Sequence, residues 1–434
     1  MDLRLPAESA PLRGSVAVPG DKSLAHRAAL FAALAEGVST IRNYPDSGVT
    51  RAMRGALEAL GVPSVLEDGV LRVKGNGMRP FPNSGTTAYC GNSATTMRLL
   101  AGAVVATRSV AVLDGSEGLR KRPMDRIVEP LREMGADISS TGGCAPLRIS
   151  PAPLESISYK LPVASAQVLS CLQIAALGAD GESMFTVDAP VRDHTSRMLR
   201  SMGAGVADAW PDVFVEALAN PLLPLDGTLP GDISSAAFLL VAAAIVPGSR
   251  ITVENVGANP TRTGILDVLT DMGATVSIDN RRETFGEPVG DITLAAAPLR
   301  GIDIGGDMVV RSIDEFPAIA VAAAFAEGTT NVRDAEELRY KESDRIAAIV
   351  MQLRALGADV AEAPDGFSIC GGTVRGGTAR ANGDHRLAMS MALCGLRAPA
   401  PVVVSGAEIL TESFPEFTAK LAALRCGEGA DLVK

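Results

Sequence analysis

One short pattern, Leu-x-x-[Leu/Met]-Gly, recurs along the chain and limits its fold more than any other feature. It reads LEALG at Leu57, LREMG at Leu131, LRSMG at Leu199, LTDMG at Leu269 and LRALG at Leu353, with a degraded sixth copy, LAALRCG, at Leu421. Copies stand about 70 residues apart, too far for a solenoid, whose repeats run roughly 20–50 residues. Each copy reads as the last turn of an amphipathic helix closed by Gly, which tolerates the left-handed backbone such an end requires. Short β-like stretches follow, such as ADIS, ATVSI and ADVAEA.

A second pattern interleaves with the first. Six Ala/Leu-rich segments each begin with a polar cluster: GDKSLAHRAALFAALAEG, GNSATTMRLLAGAVVA, ASAQVLSCLQIAALGADG, GDISSAAFLLVAAAIVPGS, DEFPAIAVAAAFAEGTT and GDHRLAMSMALCGLRA. They are apolar nearly all round, which predicts helices buried within a domain. β-like runs such as SVAVLDG, SMFTVDA, RITVENV and TTNVRDA come after them. The unit is therefore strand, buried helix, strand, amphipathic helix ending in Gly, strand pair. A chain of 434 residues exceeds what one core organises. The fold class expected is α/β (α+β), with two domains of three units, each closing around three buried helices.

Composition excludes several classes. A formal net charge of −10 argues against nucleic-acid binding, which wants a basic face. Any anionic substrate must meet a local basic cluster. The cysteines (90, 144, 171, 370, 394 and 426) form no CxxC pair, and the three histidines have no zinc spacing, so neither a metal site nor a disulfide framework is expected and a reducing cytosol fits. MDLRLPAESAPLRG lacks the apolar core of a signal peptide, and runs such as 236–246 are too short to span a membrane.

The chemistry is expected at helix starts, where unpaired N–H groups and the positive dipole end favour anions. For a Ser, Asn or Asp there, plain capping is the ordinary reading. In GNSATTMR, Asn92 and Thr95 are the expected caps, and Arg98 is read as structural. Lys22, Arg27, Arg122, Lys341, Arg345 and Arg386 oppose the dipole, and their expected placement at equivalent helix ends calls for an anionic ligand.

These residues resemble the enolpyruvyl transferase family, and within it the branch that acts on shikimate 3-phosphate. PGDKSLAHRA is similar to its PGDKS-x-[ST]-[HN]-R signature, and GNSATTMR to GNA[GA]T-x-x-R. KRPM, ASAQVLS, GDISSAAF, IDEFP, LRYKESDR, DHRLAMS and SFPEF have counterparts in the same order. The resemblance implies two domains of three βαβαββ units around parallel helices, an inverse α/β barrel or prism. The domains would be 20–230 and 1–19 plus 231–434, with the active site in the cleft between them. It implies a monomeric, cytoplasmic enzyme without metal or cofactor. Its partners would be phosphoenolpyruvate and shikimate 3-phosphate, with no nucleic acid or membrane.

Residue by residue, the resemblance puts Lys22 on both substrates, and Ser23, Arg27, Ser165, Ala166 and Gln167 on shikimate 3-phosphate, with Gln167 also facing phosphoenolpyruvate. Arg122, Arg345 and Arg386 would hold phosphoenolpyruvate near Ala94. Asp314 and Lys341 would bind the shikimate ring, and Arg192 is a phosphate candidate. Lys22, Asp314 and Glu342 are the expected catalytic residues. The sequence departs from common family patterns at Ala25, Ala94, Ala166 and Glu412; the last stands where many members carry Lys. Ala94, where many have Gly, implies tolerance to glyphosate, a phosphoenolpyruvate mimic in this family.

Rival readings are weaker. The branch acting on UDP-N-acetylglucosamine carries a reactive Cys in a GGCAxG context. TGGCAPL at Thr141–Leu147 follows the Gly of LREMGADIS and is expected in a strand region instead. GDKS lacks the Gly directly before Lys that a P-loop needs, because Asp21 intervenes. A catalytically dead anion-binding scaffold would have no use for the carboxylates Asp314 and Glu342 beside the cations.

Overall fold

The computed structural model of the chain describes residues 1–5, 10–83 and 85–425. Cys426, the tail of the sixth repeat copy and part of MDLRLPAESAPLRG lie outside the described residues. The chain divides into two compact units, Gly20–Leu229 with Glu283–Glu287, and Met1–Pro19 with Pro230–Arg282 and Pro288–Lys434. Glu283–Glu287 departs from the expected range 231–434. It is the tip of the hairpin Thr275–Thr284/Glu287–Ala295. A Cβ on Gly227 would meet its Phe285 ring at 2.9 Å, and Glu287 is hydrogen-bonded to His194 Nδ1 at 2.8 Å, so the tip packs with Gly20–Leu229.

Among the described residues, six small sheets repeat one plan. A first strand runs parallel to a second, and the second pairs antiparallel with one arm of a hairpin. Thr86–Tyr89, Ala111–Asp114 and the hairpin Asp137–Thr141/Cys144–Ser150 show it within one unit. The parallel pair needs a crossover, which the inner helix supplies. Two sheets borrow a strand from far along the chain: Asp226–Thr228 lies parallel to Glu36–Arg42, and Arg13–Ala17 parallel to Arg250–Gly257. In the sixth sheet, Asp2–Leu5 pairs antiparallel with Val402–Ser405, where the other five sheets have a hairpin. The second unit thus takes two N-terminal strands.

The repeated glycines do what the sequence requires of them. Gly61, Gly135, Gly203, Gly273 and Gly357 have φ between +87° and +111°. In each copy the N–H after the Gly reaches the carbonyl of the motif's Leu at 2.9–3.0 Å, the closing bond of a Schellman cap.

The inner helices are Lys22–Leu34, Ala94–Ala106 and Ala166–Ala176 in one unit, and Ile233–Ile245, Phe316–Ala324 and His385–Leu393 in the other. Beyond their first turns, Arg98 excepted, they are buried on every face. Each fully buried Leu or Phe contributes about 1.5–3 kcal/mol. The Ala94 and Ala166 helices run parallel, since Thr95 meets Gln167, Gly102 meets Cys171 and Ala106 meets Gly178. A Cβ on Gly102 would lie 2.3 Å from the Cys171 carbonyl oxygen, so only Gly permits this approach. Among the described residues, no helix is long and apolar enough to cross a membrane.

Candidate active site

In the Gly20–Leu229 unit, the starts of three inner helices meet. Asp21, Ser93 and Ser165 cap them by accepting the N–H of Leu24, Thr96 and Val168. Ser93, not Asn92 or Thr95, is the cap of the Ala94 helix. Asn92 Oδ1 instead accepts from the Ser116 hydroxyl, and Thr95 Oγ1 accepts from Gln167 Nε2 at 2.9 Å. His26 joins two starts: its Nδ1 lies 2.7 Å from the Lys22 carbonyl and its Nε2 3.3 Å from Ser93 Oγ. Burial pushes its pKa down to about 4. The ring is therefore neutral, with Nδ1 donating and Nε2 accepting.

Arg27 is 3% exposed and occupied by its own unit. It donates to the Thr195 and Ser170 hydroxyls at 2.8 Å and to the Ser23 carbonyl at 3.0 Å. Arg98 donates to Gln167 Oε1 at 2.5 Å and to the Pro123 carbonyl at 3.1 Å, next to Arg122. Lys22, Ser23, Ser165, Ala166 and Gln167 are half-buried at this end, and Ala94 is 6% exposed. Arg192 is half-buried two residues before the helix His194–Ser201.

In the other unit, the three inner-helix starts again meet. The Ser234 hydroxyl donates to Glu315 Oε1, and Arg386 donates to the Asp314 carbonyl at 3.1 Å, 3.8 Å from Glu315. Arg262 lies 3.0 Å from Ser234 Oγ and 3.5 Å from Asp232. Arg345, 1% exposed, is ringed by three carboxylates: Glu342 at 2.6 Å, Asp384 at 2.7 Å and Asp314 at 3.5 Å. Burial alone would lower the Arg345 pKa, but Glu342, Asp384 and Asp314 together raise it. Burial likewise opposes the Asp384 carboxylate, yet Arg345 and the Arg386 N–H hold its pKa below the usual range. Arg345 and Asp384 thus stay ionised, with the guanidinium fixed in place.

The cations do not share one structural position, contrary to the sequence reading. Lys22 and Arg386 open inner helices, Arg27 lies in the second turn of one, and Arg345 opens the outer helix Arg345–Ala355. Arg122 and Lys341 stand in loops, Lys341 just after the 3₁₀ turn Glu336–Tyr340 and 3.6 Å from Glu337. The reason is local: the outer helices start later than the charged loops before them. Asp314 and Glu342 join the Arg345 cluster, while Glu412 is exposed at the end of the turn Ala407–Glu412. Cys144 opens a hairpin strand after the turn Gly142–Gly143, as its sequence context predicts.

The comparisons with known proteins agree with this geometry. The sequence model of EPSP synthase (3-phosphoshikimate 1-carboxyvinyltransferase) matches residues 6–421. The chain belongs to the EPSP synthase family. It is 49% identical over 414 residues to the 3-phosphoshikimate 1-carboxyvinyltransferase of Geobacter sulfurreducens, covering 94% of this chain and 96% of that one. The enzyme of the same name from Salinibacter ruber is 44% identical over 422 residues, covering 96% and 97%. A solved EPSP synthase from Acinetobacter baumannii superposes with a TM-score of 0.90 at 40% identity, covering 98% of both chains. Membership in the EPSP synthase family makes this chain an enzyme of enolpyruvyl transfer with the family's two-domain fold.

Sequence reading missed the supporting residues His26, Ser93, Arg262, Glu315 and Asp384. A signal existed for His26, four residues after Lys22 on one helix face. For Arg262 and Asp384 none did, because their partners lie 28 and 39 residues away.

Proposed function

We propose that this member of the EPSP synthase family transfers the carboxyvinyl group of phosphoenolpyruvate to the 5-hydroxyl of shikimate 3-phosphate, releasing phosphate, as a monomeric cytoplasmic enzyme. The observation that carries the reading is the meeting of three inner-helix starts in each unit, studded with cations that suit two phosphates and two carboxylates. The free state of all five cysteines among the described residues supports a reducing compartment.

Lys22, Arg122, Gln167, Arg345 and Arg386 hold phosphoenolpyruvate. Ser23, Arg27, Ser165, Ala166, Gln167, Arg192 and Lys341 hold shikimate 3-phosphate. Asp314 takes the proton of the 5-hydroxyl as its oxygen attacks C2, while Glu342 protonates C3. The resulting tetrahedral adduct loses a C3 proton to Glu342, and the C–O bond to phosphate breaks with help from Lys22. When phosphoenolpyruvate engages Arg345, Glu342 gives up that donor and can carry the proton. Ala94, packed in the first turn of its helix, adds a methyl group where the larger glyphosate would lie, and the enzyme tolerates that inhibitor.

Isotope incorporation tests the addition–elimination route. In deuterated water, C3 becomes a transient methyl group, and the vinyl group of the product acquires deuterium. A product vinyl group without deuterium would exclude the adduct.

A further inference from the structure

We propose that Arg98 is a positioning residue that fixes which end of the Gln167 amide faces substrate; this deepens the functional reading above and rests on it. An amide side chain can present either an acceptor oxygen or a donor nitrogen, and the two ends have nearly the same shape. An anionic substrate needs the nitrogen. A guanidinium has only donors, so the amide atom 2.5 Å from Arg98 Nη1 must be Oε1. Rotating the amide by half a turn would set donor against donor. Nε2 then lies on the other side, giving one hydrogen to Thr95 Oγ1 at 2.9 Å and keeping its second.

The arrangement also fixes position. Arg98 and Thr95 are one turn apart on the Ala94 helix, so they hold the amide from both ends on a rigid element. The other arm of Arg98 donates to the Pro123 carbonyl at 3.1 Å, the residue after Arg122. One side chain thereby couples Gln167 to the Arg122 loop, two phosphoenolpyruvate ligands on separate segments. An arginine that acted only as an extra cation would not need either bond.

The test is a double-mutant cycle read by phosphate release from phosphoenolpyruvate and shikimate 3-phosphate. It uses Arg98→Ala, Gln167→Ala, the double variant and Arg98→Lys, with thermal midpoints alongside. Arg98→Ala should raise KM for phosphoenolpyruvate about 10-fold with kcat within about 3-fold, and the double variant should be no more than about 2-fold worse than the weaker single. Arg98→Lys keeps a donor for Oε1 and should bring KM back to within about 3-fold of the parent. Multiplying losses in the double variant would overturn the proposal in favour of a direct charge effect. A fall in thermal midpoint and kcat at unchanged KM would overturn it in favour of a merely structural role. If Arg98→Ala does not fold, Arg98→Lys decides: a KM as high as that of Gln167→Ala overturns the proposal. An inert parent enzyme would sink the functional reading and this assignment with it, whereas an active parent with multiplying losses would sink this assignment alone.

Discussion

His26 shows how burial turns a titratable side chain into a fixed strut. Its pKa is held at about 4 by burial, against 6.5 for the ordinary side chain. Because the unfolded chain binds the proton more readily, this group's contribution to stability is complete above pH 6.5 and is lost as pH falls toward 4. The loss is on the order of 3 kcal/mol over that window. Urea unfolding of the parent and of His26→Asn at pH 7 and pH 4.5 should show a smaller pH effect in the variant. Equal pH effects would mean that His26 is not held neutral.

The carboxylates and Ala94 make different demands. Glu342→Gln should lower kcat about 100-fold or more while KM for phosphoenolpyruvate stays within a few-fold, since proton transfer and binding are then separable. Ala94→Gly should lower the half-inhibitory glyphosate concentration about 10-fold, the cost of an intruding methyl group being roughly 1–3 kcal/mol. Inhibition that does not deepen would remove Ala94 from the inhibitor's surroundings.

The helices carry their own predictions. Gly203 ends an outer helix at φ +91° with nothing nearer to a Cβ than 3.9 Å, so Gly203→Ala isolates backbone strain. It should cost about 1–2 kcal/mol by urea unfolding. Gly55 lies exposed inside the helix Gly48–Ala59, with no atom within 4 Å of a Cβ. Gly55→Ala should therefore stabilise by about 0.5–1 kcal/mol.

Helix ends of this kind were legible in the sequence because their chemistry is local. Leu, Gly and the residue after it complete the whole cap within six positions, and all five full copies do so. The inner helices were legible for the same reason, as runs apolar on every face. The cap at Ser93 was misread because Asn92, Ser93 and Thr95 can all cap, and only the path of the chain after Cys90 chooses among them. The partners of Arg98 and Arg262, and Asp384 beside Arg345, were not legible. They depend on which helix starts converge, which for Arg98 is fixed by the close packing of its helix at Gly102.

Over the whole chain, the repeats explain why the chemistry gathers where it does. In four of the six sheets a parallel crossover carries an inner helix, and in each unit three positive helix ends meet. The overall charge of −10 leaves those ends as local exceptions in an acidic protein. Such a molecule should discriminate among acceptors while demanding phosphoenolpyruvate in every case. The measurement that tests this most directly is phosphate release from phosphoenolpyruvate with shikimate 3-phosphate, with UDP-N-acetylglucosamine, and with no acceptor. The account predicts one phosphate per enol ether formed with shikimate 3-phosphate and none otherwise. Release with the sugar nucleotide, release without any acceptor, or silence with all three would contradict it.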